Sequence, residues 1–379
     1  MTGISDLTTQ RRHRAIAFWL LVVAAMVFTM VVIGGVTRLT HSGLSMVDWK
    51  PVTGWLPPLT ESEWRAAFQQ YQQFPEYREV NAGMTLGEFK GIFWLEFIHR
   101  VWGRLIGVAF AVPLLVFLLK GWVDRRLAPK LVVMFVLGGL QGVLGWYMVK
   151  SGLVDRPDVS QYRLTAHLGA ALLIYGYMLW VAFGLLAPDS RPTPRHLSRF
   201  AAALVALVFL TALSGGLVAG LDAGFAYNTF PLMDGELIPE HLFPLKPLYL
   251  NFFEDVTTVQ FTHRLLATST ATLVVVFWFA AAKAPLEGRA RLATHALLVA
   301  AATQVTLGIT TLLLIVPVPL AAAHQAGAVV LLSAALWAAF EVRQPRRTTP
   351  AVEGARFGGG AARPDHPAKI DDSVLARKL

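Results

Sequence analysis

Eight long apolar segments restrict the fold of this chain more than any other feature of its sequence. A helix that crosses a bilayer needs about 20 mostly apolar residues, and eight stretches of the 379-residue chain are of that kind. The predicted spans are 15–36, 92–119, 130–149, 162–186, 199–220, 256–282, 290–315 and 319–341. Lipid offers no hydrogen bonds to the backbone, which α-helices satisfy internally. The sequence therefore predicts an all-α integral membrane protein with eight transmembrane helices.

The composition excludes several other classes of protein. Apolar residues make up 55% of the chain and charged residues 15%, whereas soluble domains carry about 25% charged residues. Because the chain has no cysteine, a disulfide framework, a cysteine-ligated metal site and a thiol nucleophile are all excluded. The net charge of +9 lies mostly in short loops and tails beside apolar segments. That distribution indicates contact with the lipid bilayer and no nucleic-acid partner.

Lysine and arginine also predict the orientation of the chain. They concentrate in the N-terminal tail, in the loops after spans two, four and six, and in the C-terminal tail. Cytoplasmic loops carry this excess, so both termini are expected in the cytoplasm. We expect residues 1–14 to be a short cytoplasmic tail and 344–379 a disordered one. The outer loop 37–91 is long enough to fold, with a short amphipathic helix over Glu61 to Tyr71.

The two halves of the sequence repeat each other. Four motifs of the segment 15–186 recur in the same order in the segment 199–341, each four spans later. The matched motifs are Gly34-Gly35 with Gly215-Gly216, Phe97-Ile98-His99-Arg100 with Phe261-Thr262-His263-Arg264, Gln141 to Gly145 with Gln304 to Gly308, and Ala166-His167 with Ala323-His324. Repeats separated by an even number of spans share one orientation. We therefore predict two pseudo-symmetric four-helix bundles, related by an axis along the membrane normal.

Four histidines occupy matched positions within the spans. They are His99, His167, His263 and His324, and each lies about five to eight residues from the outer end of its predicted span, roughly 8–12 Å below the outer surface of the membrane. Ionisable residues inside a membrane are costly and indicate function. Two imidazoles on facing helices are what one haem iron needs as axial ligands. The alternatives are histidines that merely bond neighbouring carbonyls, or a zinc or copper site, for which each half offers few ligands.

Three arginines near these histidines suit the carboxylates of a haem. Arg100 and Arg104 share one face of span two, and Arg264 follows His263 directly. A guanidinium group binds planar carboxylates with two parallel hydrogen bonds. We predict that these arginines bind haem propionates. The alternative is that their side chains reach lipid phosphates at the interface.

One difference between the halves suggests a difference in chemistry. Glu96 precedes His99 by one helical turn, whereas the matching residue before His263 is Gln260. A carboxylate beside a haem can move protons, and an amide cannot. We predict that the first half acts on its tetrapyrrole, with Glu96, His99 and His167 as the catalytic group. The alternative is that Glu96 pairs with Arg100 or Lys90.

Taken together, these residues resemble the haem A synthase family, in its proteobacterial and mitochondrial branch. The resemblance covers roughly residues 12–342. It is carried by the segment from Gly34 to Pro58, Glu96 to Arg100, the Gln141 segment, Thr165-Ala166-His167, Tyr227 to Met233, His263-Arg264 and His324-Gln325. Some bacterial members carry a cysteine pair in an outer loop, and this chain has none.

The resemblance implies an activity and its cofactors. Such enzymes oxidise the C8 methyl group of haem O to a formyl group by successive hydroxylations, which gives haem A for terminal oxidases. It implies haem b as a cofactor bound by His263 and His324, and haem O as the substrate near His99, His167 and Glu96. It also implies haem O synthase as a partner and the bacterial inner membrane as the location, with the haem sites toward the outer side. The electron donor and the oligomeric state, monomer or homo-oligomer, stay open.

Other functions fit part of the same pattern. A transmembrane cytochrome b with bis-histidine haems would explain the four histidines and the repeat, but not the contrast between Glu96 and Gln260. A haem transporter or chaperone predicts no oxygen-dependent product, and a proton-coupled transporter predicts no haem absorbance. An iron with two histidine ligands has no open position for oxygen, so the enzyme requires one ligand to move or to be absent.

Overall fold

The computed structural model describes residues 2–49, 53–152, 159–187 and 193–343. The predicted tail at 344–379 lies outside these residues. Ten α-helices are found in the described part of the chain. They are α1 (Thr2–Leu39), α2 (Glu61–Tyr71), α3 (Leu86–Leu119), α4 (Ala128–Gly152), α5 (Gln161–Leu186), α6 (Arg195–Gly220), α7 (Asn251–Glu254), α8 (Val256–Ala282), α9 (Gly288–Leu313) and α10 (Val318–Glu341).

Eight of these helices are long and apolar enough to cross a membrane, which confirms the predicted spans. The largest difference is at α1, which begins at Thr2 instead of residue 15. No proline interrupts residues 2–14, so the helix continues through the basic segment predicted as a tail. Helix α3 begins at Leu86, ahead of the predicted residue 92, because Thr85 and Glu88 form a reciprocal capping box.

The short helix predicted in the outer loop is confirmed with the same bounds. Thr60 and Glu63 form a capping box at the start of α2, and the hydrogen bonds at this cap lower the pKa of the exposed Glu63 carboxyl. The buried face of α2 carries Trp64 and Tyr71, which pack on the outer end of α3. The Trp64 ring lies 4.9 Å from the Phe93 ring. An aromatic cluster therefore holds the outer loop on the bundle.

The same pairs of helices pack together in both halves. In the first half α1 packs on α3 and α5, and α4 packs on α5; in the second half α6 packs on α8 and α10, and α9 packs on α10. Helices α1, α5, α6 and α10 join the halves. Across this junction Tyr175 and Ser333 share a hydrogen bond of 2.8 Å, and Gln325 Nε2 donates to Val31 O at 2.9 Å. This arrangement is consistent with the predicted pseudo-symmetry.

The two outer helix pairs differ in how closely they pack. Helices α3 and α4 contact each other less than α8 and α9 do. Among the spans that the structure describes, α4 is the least buried. The first half is therefore the more open of the two, on the side where α3 and α4 face each other.

Candidate functional site

Each of the four histidines lies against a glycine of a neighbouring helix. A methyl group added to any of these glycines would meet the imidazole at or inside van der Waals contact. The pairs, with the distance from the added carbon to the nearest ring atom, are Gly34 and His99 (3.3 Å), Gly145 and His167 (3.1 Å), Gly215 and His263 (3.2 Å), and Gly308 and His324 (2.7 Å). Any larger residue at these positions would push the rings out of place. The repeat motifs contain these glycines, but their pairing with the histidines is visible only in the structure.

The histidines come together in two pairs, one in each half. The imidazole of His99 interacts electrostatically with that of His167, and the imidazole of His263 interacts with that of His324. Within the described residues, no group of three or more His, Cys, Asp or Glu side chains could hold a bare metal ion. Two imidazoles from two helices can instead serve the two axial positions of one haem iron.

The glutamine of each repeat fixes the backbone at a histidine. Gln141 Nε2 donates to the carbonyl of His167 at 2.8 Å, and Gln304 Nε2 donates to the carbonyl of His324 at 3.0 Å. In the described part of the chain, Nδ1 of each of these two histidines is buried without a hydrogen-bond partner. Buried polar atoms of this kind are rare in folded proteins. The glutamines therefore hold the backbone of these two histidines, whereas, within the residues described, their Nδ1 atoms have no partner comparable to Ser214 at His263.

Ser214 orients His263 in a way that the sequence analysis missed. The Ser214 hydroxyl donates its single hydrogen to Thr211 O at 2.8 Å and lies 2.8 Å from His263 Nδ1. With that hydrogen on Thr211 O, the hydroxyl accepts a hydrogen bond from Nδ1–H, and in this tautomer the lone pair of Nε2 is free to bind a metal. The matching residue of the first half is Ile33, which has no hydroxyl. The contrast of Ser214 and Ile33 beside the repeated glycine pairs was the available signal.

Glu96 is buried, with 2% of its surface exposed, and it joins α3 to the outer loop. Its carboxylate accepts hydrogen bonds from Ser45 Oγ at 2.8 Å and from the backbone N–H of Met46 at 2.6 Å. It also forms an ion pair with Arg100, one turn along the helix. The pairing of Glu96 with Arg100, which the sequence left as an alternative, is thus present. Lys90 pairs with Glu61 instead, at 3.4 Å.

The second half uses an amide at the same place. Gln260 Nε2 donates to the carbonyl of Tyr227 at 3.1 Å, and Arg264 donates to the carbonyls of Tyr227 and Thr229, each at 2.8 Å. Both halves therefore tie an outer loop to the helix turn that carries a histidine. Only the first half does so with a buried acid.

The predicted propionate ligands have partners from the protein. Arg100 donates to the carbonyls of Met46 and Asp48 at 2.6 Å and 2.9 Å, and its guanidinium lies 5.1 Å from the centre of the Trp49 ring. Arg104 lies 5.7 Å from the centre of the Trp55 ring. These arginines lie near the histidine pair of the first half, as Arg264 does in the second. Their binding of propionates stays a prediction.

The space below the histidines differs between the halves. Gly107, on the same helical face as His99, has nothing within 4 Å of an added methyl group, and the same is true of Gly138 and Gly142 on the face of Gly145. The matching residues of the second half are larger, namely Ala271, Ala301 and Val305. These positions of the first half are exposed and carry no side chain, whereas the matching positions of the second half carry one and are buried or half-buried.

Comparison with known proteins gives consistent matches over most of the chain. Residues 17–336 match the COX15-CtaA family, described as cytochrome oxidase assembly protein. The Heme A synthase of Nitrosospira multiformis is 58% identical over 88% of this chain and 94% of its own length. The Heme A synthase COX15 of Bos taurus is 50% identical over 89% of this chain and 84% of its own length. Heme A synthase COX15 of Homo sapiens is 48% identical over 90% of this chain and 86% of its own length.

Proposed function

The chain belongs to the COX15-CtaA family of cytochrome oxidase assembly proteins, and on that premise we propose that it converts haem O to haem A. The reaction oxidises the C8 methyl group of haem O to a formyl group, so the enzyme is an oxidoreductase that acts on a CH₃ group. The proposal is supported by the relatives named Heme A synthase. The observation that carries it is the presence of one glycine-cradled histidine pair in each half.

We assign the second half to a resident haem b. His263 and His324 would bind the iron, and the tautomer that Ser214 imposes leaves Nε2 of His263 free for that bond. Arg264 and Gln260 close an outer loop over the site. A bound haem b supplies one-electron chemistry. Histidines held by glycine contacts, a serine and a glutamine suit a cofactor that stays in place.

We assign the first half to haem O. Haem O differs from haem b by a farnesyl chain, and the first half has the smaller residues at Gly107, Gly138 and Gly142. His99 and His167 would hold the substrate iron, with Arg100 and Arg104 toward its carboxylates. Glu96 keeps the outer loop closed over this half through Ser45 and Met46. As a buried acid beside His99, it is also placed to take or give a proton during methyl oxidation.

The proposal includes a location and partners. The eight spans place the chain in a membrane, and for a bacterium this is the inner membrane, with both termini in the cytoplasm and the histidines near the outer face. Haem O synthase would supply the substrate. The hydroxylations insert oxygen into C–H bonds, and they require dioxygen and an electron donor whose identity is open.

Haem extraction followed by mass analysis tests the activity. The chain is co-expressed with a haem O synthase in a host that makes haem O but not haem A. We expect haem A in the extract from the unchanged chain and none from a host without it. Glu96→Gln serves as a variant that still binds haem b. Finding only haem B and haem O, with a bis-histidine spectrum and a working electron donor present, would instead support the cytochrome b alternative.

A further inference from the structure

A cavity of about 220 Å³ lies at the outer end of the first half. The outer loop, α3 and α4 each contribute to its wall. Its lining residues are Met46, Val47, Trp49, Arg100, Trp146, Val149 and Lys150. Two indole rings and two cations thus line one space, and one of the cations, Arg100, directly follows His99 in the sequence.

The two cations of this cavity are not equivalent. Arg100 is buried and its charge is balanced by Glu96. Lys150 is exposed, its Nζ lies 5.2 Å from the centre of the Trp146 ring, and among the described residues no carboxylate lies within salt-bridge distance of it. The cavity therefore has aromatic walls and, among the described residues, one positive charge with no carboxylate partner. Such a site favours a flat, partly apolar ligand that carries an anionic group.

The second half lacks this combination. The residues that match Trp146 and Lys150 in the repeat are Ile309 and Leu313. Arg264, which matches Arg100, bonds the carbonyls of its outer loop. The uncompensated cation is thus a property of the half that we assign to the substrate.

We propose that this cavity binds the propionate edge of haem O, with Lys150 as the cation that the carboxylate meets and the two tryptophans against the macrocycle. The inference rests on the proposed function and adds a substrate-orienting subsite to it. The C8 methyl group shares its pyrrole ring with a propionate. A carboxylate held in this cavity, whose wall includes Arg100 of α3, would bring that methyl group toward the turn that carries Glu96 and His99.

A purely structural role for Lys150, at the end of its helix, determines which control residue is needed. A cation in the last turn of a helix is favourable in itself, and Lys150 lies in the last turn of α4. Lys120 is a matched residue, because it caps the C-terminus of α3 and lies 5.3 Å from the centre of the Trp122 ring. Lys120 belongs to the opposite end of its helix from His99 and does not line the cavity.

The test measures haem O binding to the haem b-loaded protein in phosphatidylcholine nanodiscs. We expect Lys150→Gln to weaken binding about fivefold, as loss of one interfacial charge pair does, and Lys150→Arg to restore it. Lys120→Gln should bind haem O as the unchanged chain does. The dimethyl ester of haem O, which has no propionate charge, should bind Lys150→Gln and the unchanged chain alike. Haem b content should stay the same in all variants.

Three results would overturn the proposal. Unchanged haem O binding by Lys150→Gln is the first, and equal weakening of haem O and its ester is the second, because it would indicate a merely structural lysine. The third is an effect that occurs only when anionic lipid is added to the discs, which would assign the cavity to lipid headgroups.

Haem A formation is measured separately in the unchanged chain. If no haem A forms but haem O binding depends on Lys150, the proposed activity is wrong and the subsite stands. If haem A forms but haem O binding does not depend on Lys150, only the subsite is wrong.

Discussion

The two halves of this chain present their histidines alike but surround them differently. In both, two imidazoles from two helices lie against glycines, and an arginine one residue after a histidine holds an outer loop. The second half adds Ser214 at His263 and fills the space below with alanine and valine. The first half adds a buried acid, an uncompensated lysine, and open space at three glycines.

Under the proposed assignments, this contrast reflects the needs of a cofactor in the second half and of a substrate in the first. A cofactor that stays bound is best served by tight packing and by ligands with fixed hydrogen bonds. A substrate that enters and leaves needs space, a group that recognises it and residues that act on it. The repeated frame would serve both, with a few residue differences between the halves.

Removing a ligand from the second half should have the largest effect. His263→Ala should abolish the bis-histidine spectrum of haem b, because the iron would lose one of its two proposed axial ligands. We expect the bis-histidine absorbance of the purified protein to disappear. His295→Ala is the matched control, since His295 lies on α9 and accepts a hydrogen bond from Trp278 instead of lining the site. A normal spectrum from His263→Ala would contradict the assignment of haem b to this half.

Neutralising the acid of the first half should reduce activity without loss of the cofactor. Glu96→Gln removes both the charge that pairs with Arg100 and the proton-transfer capacity, and we expect haem A formation to fall by about a hundredfold. The haem b spectrum should not change, because Glu96 belongs to the first half and haem b is assigned to the second. Mass analysis of extracted haems measures the first quantity and absorbance the second. Normal haem A yield would remove the role assigned to Glu96.

The serine of the second half offers a finer test of the comparison. Ser214→Ala removes the acceptor for His263 Nδ1–H, and we expect haem b affinity to fall about 10- to 100-fold, with a change in the reduction potential of the haem that remains. A redox titration followed by absorbance measures that change. Ile33→Ser, the reciprocal change in the first half, should leave both haem b properties as they are. Equal effects of the two variants would contradict the separate roles of the halves.

Filling the open space of the first half should have the smallest effect. Gly142→Val introduces the residue that the second half carries, into space with nothing within 4 Å, so we expect the fold and haem b content to be retained. Haem O, with its farnesyl chain, should bind several-fold more weakly, while haem b added to the same site should bind as before. Gly184→Val, at an equally open helical glycine of α5, is the control. Equal binding of haem O by both variants would show that this space does not select for the farnesyl chain.

Much of this protein could be predicted because membrane helices are determined locally. The eight spans follow from the length of apolar segments, and the short helix from Glu61 to Tyr71 follows from its capping residues and its amphipathic pattern. The histidines could be grouped by depth because the rise of a helix is constant. Helix α1 extends beyond the predicted span because a helical backbone can continue through charged residues outside the lipid.

Local sequence patterns were enough to predict the eight helices, the repeat, the matched histidines and the contrast of Glu96 with Gln260. The packing of the helices was needed to find that Gly34 faces His99, that Ser214 bonds His263, that Glu96 joins Arg100 to the outer loop, and that Lys150 borders a cavity. The two kinds of feature differ because the interactions behind them differ in range. Helix formation depends on neighbours within a few turns, whereas the partner of a buried side chain depends on how separate helices rotate and pack against each other.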